Sequence, residues 1–134
     1  MILQTPVADD VRLALMAALT DHGFGDVTVA ENVPEPMPDF FVRLESGSAS
    51  GVSDVILAST SIDLQVWGPL TGRDRAEKLS RYVAAIISDL EGTYAGDTFI
   101  YEVVSTAPHH FPDAESRRPR WVFSVQIVSR ALVI

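Results

Sequence analysis

The stretch Ser61–Gly92, SIDLQVWGPLTGRDRAEKLSRYVAAIISDLEG, constrains the chain most, because its hydrophobic period changes within a single turn. Ile62, Leu64 and Val66 alternate with Ser61, Asp63 and Gln65, the pattern of a strand with one dry and one polar face. Gly68, Pro69 and Gly72 interrupt it. Ala76, Leu79, Val83, Ile86, Ile87 and Leu90 then recur at helical spacing and make one apolar stripe. Thr71 with Asp74 predicts a capping box at the start of this helix, and Gly92 predicts a left-handed cap at its end. A turn this short folds the helix back over the strand, so the two apolar sets predict the core. At roughly 1.5–3 kcal/mol per fully buried aliphatic side chain, they offset much of the ordering entropy of their own segment. An aspartate at Leu64 or Ile86 is expected to unfold the domain.

The flanking chain supplies the other layers. Thr5-Pro6 predicts a helix start, with Asp9 and Asp10 in its first turn and Gly23 stopping it after about His22. Val7, Val11, Ala14, Leu15 and Ala18 form its stripe. Leu13, Met16 and Leu19 widen it, as in a helix that is central to the fold or pressed on a neighbouring subunit. Residues 26–33 read as a short strand, after which Pro34, Pro36 and Pro38 forbid regular ladder bonding. Residues 40–45, FFVRLE, read as the second strand. The run SGSASGVSD at 46–54 has the composition of a mobile loop tip, suited to an arm that orders on a partner. Residues 55–58 lead back to the central strand, making a long hairpin. Phe99–Val104 and Trp121–Ser129 are the last strands, the latter with Trp121, Phe123, Val125 and Ile127 on one face. The connection 105–119 is longer than hairpins use, a length usual in functional loops. The closing ALVI either finishes a strand or buries itself elsewhere. The expected fold is α+β over residues 1–134 as one domain. Its order is α-β-β-β-α-β-β, with two helices on one face of a mixed, mostly antiparallel sheet of four to five strands.

A chain of 134 residues supports one core. It has no cysteine, which excludes structural disulfides and thiolate metal sites. With 18 acidic against 10 basic residues, its formal charge is -8, which argues against broad binding to phosphate backbones. An acidic wall that DNA slides past without sticking remains compatible. The N-terminal MILQTPVADD lacks the features of a signal peptide, and no run of about 18 apolar residues occurs, so intracellular synthesis and no membrane association are expected.

Residue chemistry assigns no reaction. His109, His110, Asp113 and Glu115 are suitable metal-ligand types, but adjacent histidines on an extended loop point to opposite sides, and a solvated loop is the expectation. Ser46, Ser48, Ser50 and Ser53 offer hydroxyls without a nucleophile elbow around them. No catalytic, cofactor-binding or metal residue is therefore assigned, and no enzyme activity is expected. Arg117, Arg118 and Arg120 form the basic cluster, read as a solvated loop, as an anchor for a neighbour's carboxylates or as a nucleic-acid contact. Trp67 and Trp121 read as packing aromatics. Asp63 and Gln65 lie on the sheet face away from the second helix, which faces solvent, a subunit or a lumen. The candidate assembly residues are Ser46, Gly47, Ser48 and Gly51 in the arm, with Arg117, Arg118 and Arg120 in the loop.

The segment SIDLQVWGPLTGRDRAEKLSRYVAAII resembles the tail terminator, or tail completion, proteins of long-tailed bacteriophages. The likeness extends to the first helix ending near Gly23, the short strand at Asp26–Val29, the entry Pro38-Asp39-Phe40-Phe41-Val42 and the closing WVFSVQIVSRA. It implies a virion structural protein, assembled in the host cytoplasm and located at the neck end of the tail. Such a subunit forms a homo-oligomeric ring, in that family a hexamer, caps the tail tube and stops its polymerisation. Its implied partners are further copies of itself, the tail tube protein and the head-tail connector, with DNA passing the lumen without specific binding. Two other readings accompany this one: a head-tail connector (neck) subunit, and a small ligand-binding regulatory α/β domain.

Overall fold

In a computed structural model, described over residues 1–52 and 56–134, the chain is an α+β fold whose main elements follow the expected order, with four short strands added, one of them before the first helix. Its elements are β1 (Ile2–Leu3), α1 (Val7–Asp21), β2 (Thr28–Ala30), β3 (Phe41–Val52), β4 (Leu57–Trp67), α2 (Arg73–Ser88), β5 (Tyr94–Ala95), β6 (Thr98–Ser105), β7 (His109–His110), β8 (Arg120–Arg130) and β9 (Leu132–Val133). The main sheet has the order β2-β3-β4-β8-β6-β5, with β7 on β8. Its seven strands exceed the expected four to five because β5 and β7 add two short ones. Among the described residues only β2 and β3 pair in parallel. The tail ALVI finishes a strand, as β9 pairs with β1 in a separate two-stranded ribbon.

The two apolar sets around the central turn meet as predicted. Ile62, Leu64 and Val66 share one buried cluster with Ala76, Leu79, Val83, Ile86 and Ile87. The inward face of β8 (Trp121, Phe123, Val125, Ile127), Val42 and Leu44 of β3, and Val7, Val11, Leu15 and Leu19 of α1 complete it. Both helices therefore cover the same face of the sheet. Leu19 joins the core, whereas Leu13 and Met16 remain 54% and 38% exposed, so the wide apolar surface of α1 is only partly used within the chain.

Several boundaries differ from expectation, each for a local reason. Residues 46–52 are strand, not loop tip: after a bulge between Ser46 and Ala49, β3 pairs with β4 as far as Val52. Small residues contribute little side-chain packing, yet they leave the backbone ladder free to form. Ser53 and Asp54 lie outside the described residues. The strand expected over 26–33 shrinks to Thr28–Ala30. Thr71 does not cap α2, because the turn that closes with Gly72 N–H on the Pro69 carbonyl places Gly72 at the N-cap. That turn is tight enough that a side chain at Gly72 would meet Phe40 and Pro69 at 2.7 Å. Gly92 is left-handed, with φ 76°, but lies beyond the cap residue Asp89 and donates its N–H to the Ile100 carbonyl.

At the other helix start, Pro6 holds the N-cap position and the Thr5 hydroxyl is turned elsewhere. The fully buried Thr98 has its Oγ1 2.6 Å from Thr5 Oγ1 and 2.7 Å from Asp10 Oδ2. A hydroxyl has one proton, so Thr98 donates to the carboxylate and accepts from Thr5, pinning α1 to β6.

Candidate assembly surfaces

The face of the sheet turned away from the helices is polar along its middle. Ser61, Asp63 and Gln65 of β4 lie beside Gln126, Ser124 and Val122 of β8 in register. Asp63 is exposed, and the Gln65 side-chain oxygen accepts from Trp67 Nε1 at 3.1 Å.

At one end of this face the chain changes character. Phe41 and Trp67 stack with ring centroids 5.3 Å apart and 14° between planes. Arg118 lies over both rings, donating Nε to the Gly68 carbonyl at 2.9 Å and Nη2 to the carbonyls of Pro38 and Asp39 at 2.8 and 2.7 Å. It satisfies three loop carbonyls from one planar donor group. Arg120 sits over Trp67 and Phe111 and donates Nε to the Phe111 carbonyl at 2.9 Å. Arg118 and Arg120 are thus bound inside their own chain, tying the 105–119 connection to the sheet.

Arg117 differs from its neighbours. It is exposed, and its backbone is left-handed with φ 58°. The turn that holds it is anchored by Asp113, whose carboxylate accepts from the Ser116 N–H at 2.8 Å and from the Ser116 hydroxyl at 2.7 Å. Those two bonds, with Arg120 Nη1 3.8 Å away, keep the Asp113 carboxyl below the usual carboxylate range. Arg117 N–H donates to the Asp113 carbonyl at 2.9 Å, and Asp113 N–H to that of Arg118 at 3.1 Å. Hydrogen bonds around the turn hold a conformation that a lone arginine seldom adopts.

Beside this turn lies a cleft of about 490 Å³, lined by Leu70, Arg73, His110, Pro112, Asp113, Ala114, Arg117 and Pro119. His109 and His110 lie in β7, with the His110 ring 4.6 Å from that of Trp121, while the Asp113 carboxylate is turned to Ser116 and Arg120. Among the described residues no three histidine or acidic side chains converge as metal ligands.

The two groups of sequence-derived candidates lie apart along the sheet. Ser46, Gly47, Ser48 and Gly51 lie in the distal half of β3, where Ser46 pairs with Ile62 and Gly51 with Ala58. Arg117, Arg118 and Arg120 lie at the end near Trp67. Along β4 the partners of Ser46 and Gly51, Ile62 and Ala58, lie five and nine residues from Trp67, roughly 17 and 30 Å at strand rise. Sequence reasoning missed Arg73 and Leu70 altogether. Leu70 sits in the turn read only as a connection and Arg73 opens α2, and their meeting with 110–119 depends on how β8 returns along β4.

A second pair fastens the opposite flank of α2. Arg75 reaches Asp26 with two bonds, Nη1 to Oδ2 at 3.0 Å and Nη2 to Oδ1 at 2.8 Å, and packs over Phe40 and Phe24. The bidentate contact lowers the Asp26 carboxyl and raises the Arg75 guanidinium relative to their ordinary values.

No protein-family model and no curated protein matches the chain.

Proposed function

We propose that this chain is a bacteriophage tail terminator, a ring-forming virion structural protein that caps the tail tube, stops its polymerisation and joins the tail to the head connector. The observation that supports this reading is the outer edge of β3. The short β2 covers it only at Phe41, Val42 and Arg43, and among the described residues no strand pairs it from Leu44 onward. Monomers blunt such edges with charges, prolines or bulges, and beyond Glu45 this strand has only the bulge between Ser46 and Ala49, with no charge or proline. An edge left open in this way is suited to adding a strand from another chain, and a head-to-tail contact of that kind closes into a ring when its rotation allows.

The polar face around Asp63 and Gln126 and the net charge of -8 fit a lumen that DNA traverses without adhering. Further copies of the chain, the tail tube protein and the head connector are the partners in this reading, and the virion is its location. Sedimentation and electron microscopy of the purified protein, alone and with polymerising tail tube protein, test it. Rings and tubes of arrested length are expected. A protein that stays monomeric at every concentration and leaves tube growth unchanged sinks the proposal.

A further inference from the structure

We infer that the cleft between Leu70 and Pro119 receives the acidic link 31–37 of a second copy of this chain. The inference rests on the ring reading for its partner, but it uses a different surface from the β3 edge. Among the described residues, all of the ten basic side chains but Arg73, Arg81 and Arg117 have a partner. Two of those three line this one cleft. In a protein of charge -8, two guanidiniums without a partner among the described residues lie on one concave surface beside Leu70, Pro112, Ala114 and Pro119, where the lining carboxylate of Asp113 is held by Ser116 and Arg120; they fit carboxylates flanked by apolar side chains.

The openness of the cleft selects among such ligands. Small-molecule sites cover most of their ligand, about 70–90% of its surface. Here Leu70 is 68% exposed and both arginines are exposed, so the rim cannot enclose a free molecule. A segment whose other side is already covered by its own protein suits this geometry. Two cations are also too few to hold a nucleic acid against the remaining acidic surface.

The chain presents a matching segment. Glu31, Val33, Glu35 and Met37 occur at alternate positions, and all four are exposed, Val33 by 38% and Met37 by 41%. Neither glutamate side chain has a partner among the described residues. Pro34 and Pro36 lack backbone donors, so recognition falls to the side chains, and proline limits the entropy lost on docking. The link ends close to the cleft of its own chain, where Arg118 holds the Pro38 and Asp39 carbonyls, yet neither Glu31 nor Glu35 pairs with Arg73 or Arg117 there, which leaves both sets of charges for a second copy. A contact that joins two different surfaces of successive copies is head-to-tail, the kind that closes a ring.

Paired charge reversals test the contact. The double variants R73E/R117E and E31R/E35R should each lose self-association by about tenfold or more in sedimentation, with melting temperatures near that of the parent, since no intramolecular partner is removed. Mixed in equal amounts, the two variants should assemble again, because each reversed cleft then meets a reversed link and each native cleft a native link. Raised salt should weaken assembly of the parent. Association that survives both reversals, or a mixture that fails to recover it, overturns the inference while leaving the ring reading in place. A parent that never associates, alone or with tail tube protein, overturns both.

Discussion

The two faces of β4 and β8 are held by different physics. On the inward face, Ile62, Leu64 and Val66 meet Phe123, Val125 and Ile127 under two helices, and apolar burial secures them. At the outward end near Trp67, a stacked aromatic pair is overlaid by Arg118 and Arg120, and loop carbonyls are satisfied one by one by guanidinium donors. Burial is non-directional and sustains the whole domain. The arginine bonds are directional and set the path of one long connection. Damage to the first should be global, and damage to the second local.

The largest effect should come from the inward face. Leu64→Ala, at a side chain 1% exposed, should cost about 2–5 kcal/mol in denaturant unfolding, and Leu64→Asp should leave no cooperative transition. Next, Arg118→Met keeps an apolar stem over Phe41 and Trp67 but strands the carbonyls of Gly68, Pro38 and Asp39. A loss of about 2–3 kcal/mol is expected, with faster proteolysis confined to 105–119. If this variant instead melts as broadly as Leu64→Ala, the division between global and local support is wrong. Thr98→Val, which removes the donor to Asp10 while keeping the shape, should cost about 1–2 kcal/mol and free the start of α1, visible as faster hydrogen exchange there.

The smallest effect concerns two acids, the exposed Asp26 and the half-buried Asp113. Asp26 and Asp113 both titrate below the unfolded value of about 3.9 when folded, so their stabilising contribution is complete above that value and is lost as pH falls through the lowered folded values. Stability should therefore be insensitive to these two groups from neutral pH down to about 5 and decline below about 4. Arg75→Ala should flatten the Asp26 part of that decline and cost under about 1 kcal/mol at neutral pH, because the pair is solvent-exposed. Acid titration of the parent and the variant by circular dichroism checks both statements.

Much of the architecture was legible in the residues themselves. The switch of period at Gly68–Gly72 located the central strand and helix, and alternation within 121–129 located its neighbour, because burial on one face repeats along the chain at the period of the local structure. The caps were less legible. Thr71 and Thr5 have the right chemistry one residue too early, and a turn one residue longer or shorter changes which group reaches the first N–H. The small-residue run after Glu45 was misleading in the same way: its composition described weak side chains, while the ladder with β4 is made by backbone. Of the candidate assembly residues, the arginine cluster was visible as composition, but nothing local distinguished the clamping Arg118 and Arg120 from the exposed Arg117.

Sequence alone thus determined the class of fold, the faces of the main strands and helices and the acidic balance, since each follows from contacts between near neighbours or from simple counting. Tertiary structure decided which arginines are spent inside the chain, that Arg73 joins Arg117 at one cleft, and that β3 keeps an open edge. These are relations between segments tens of residues apart, and they exist only once β8 lies between β4 and β6.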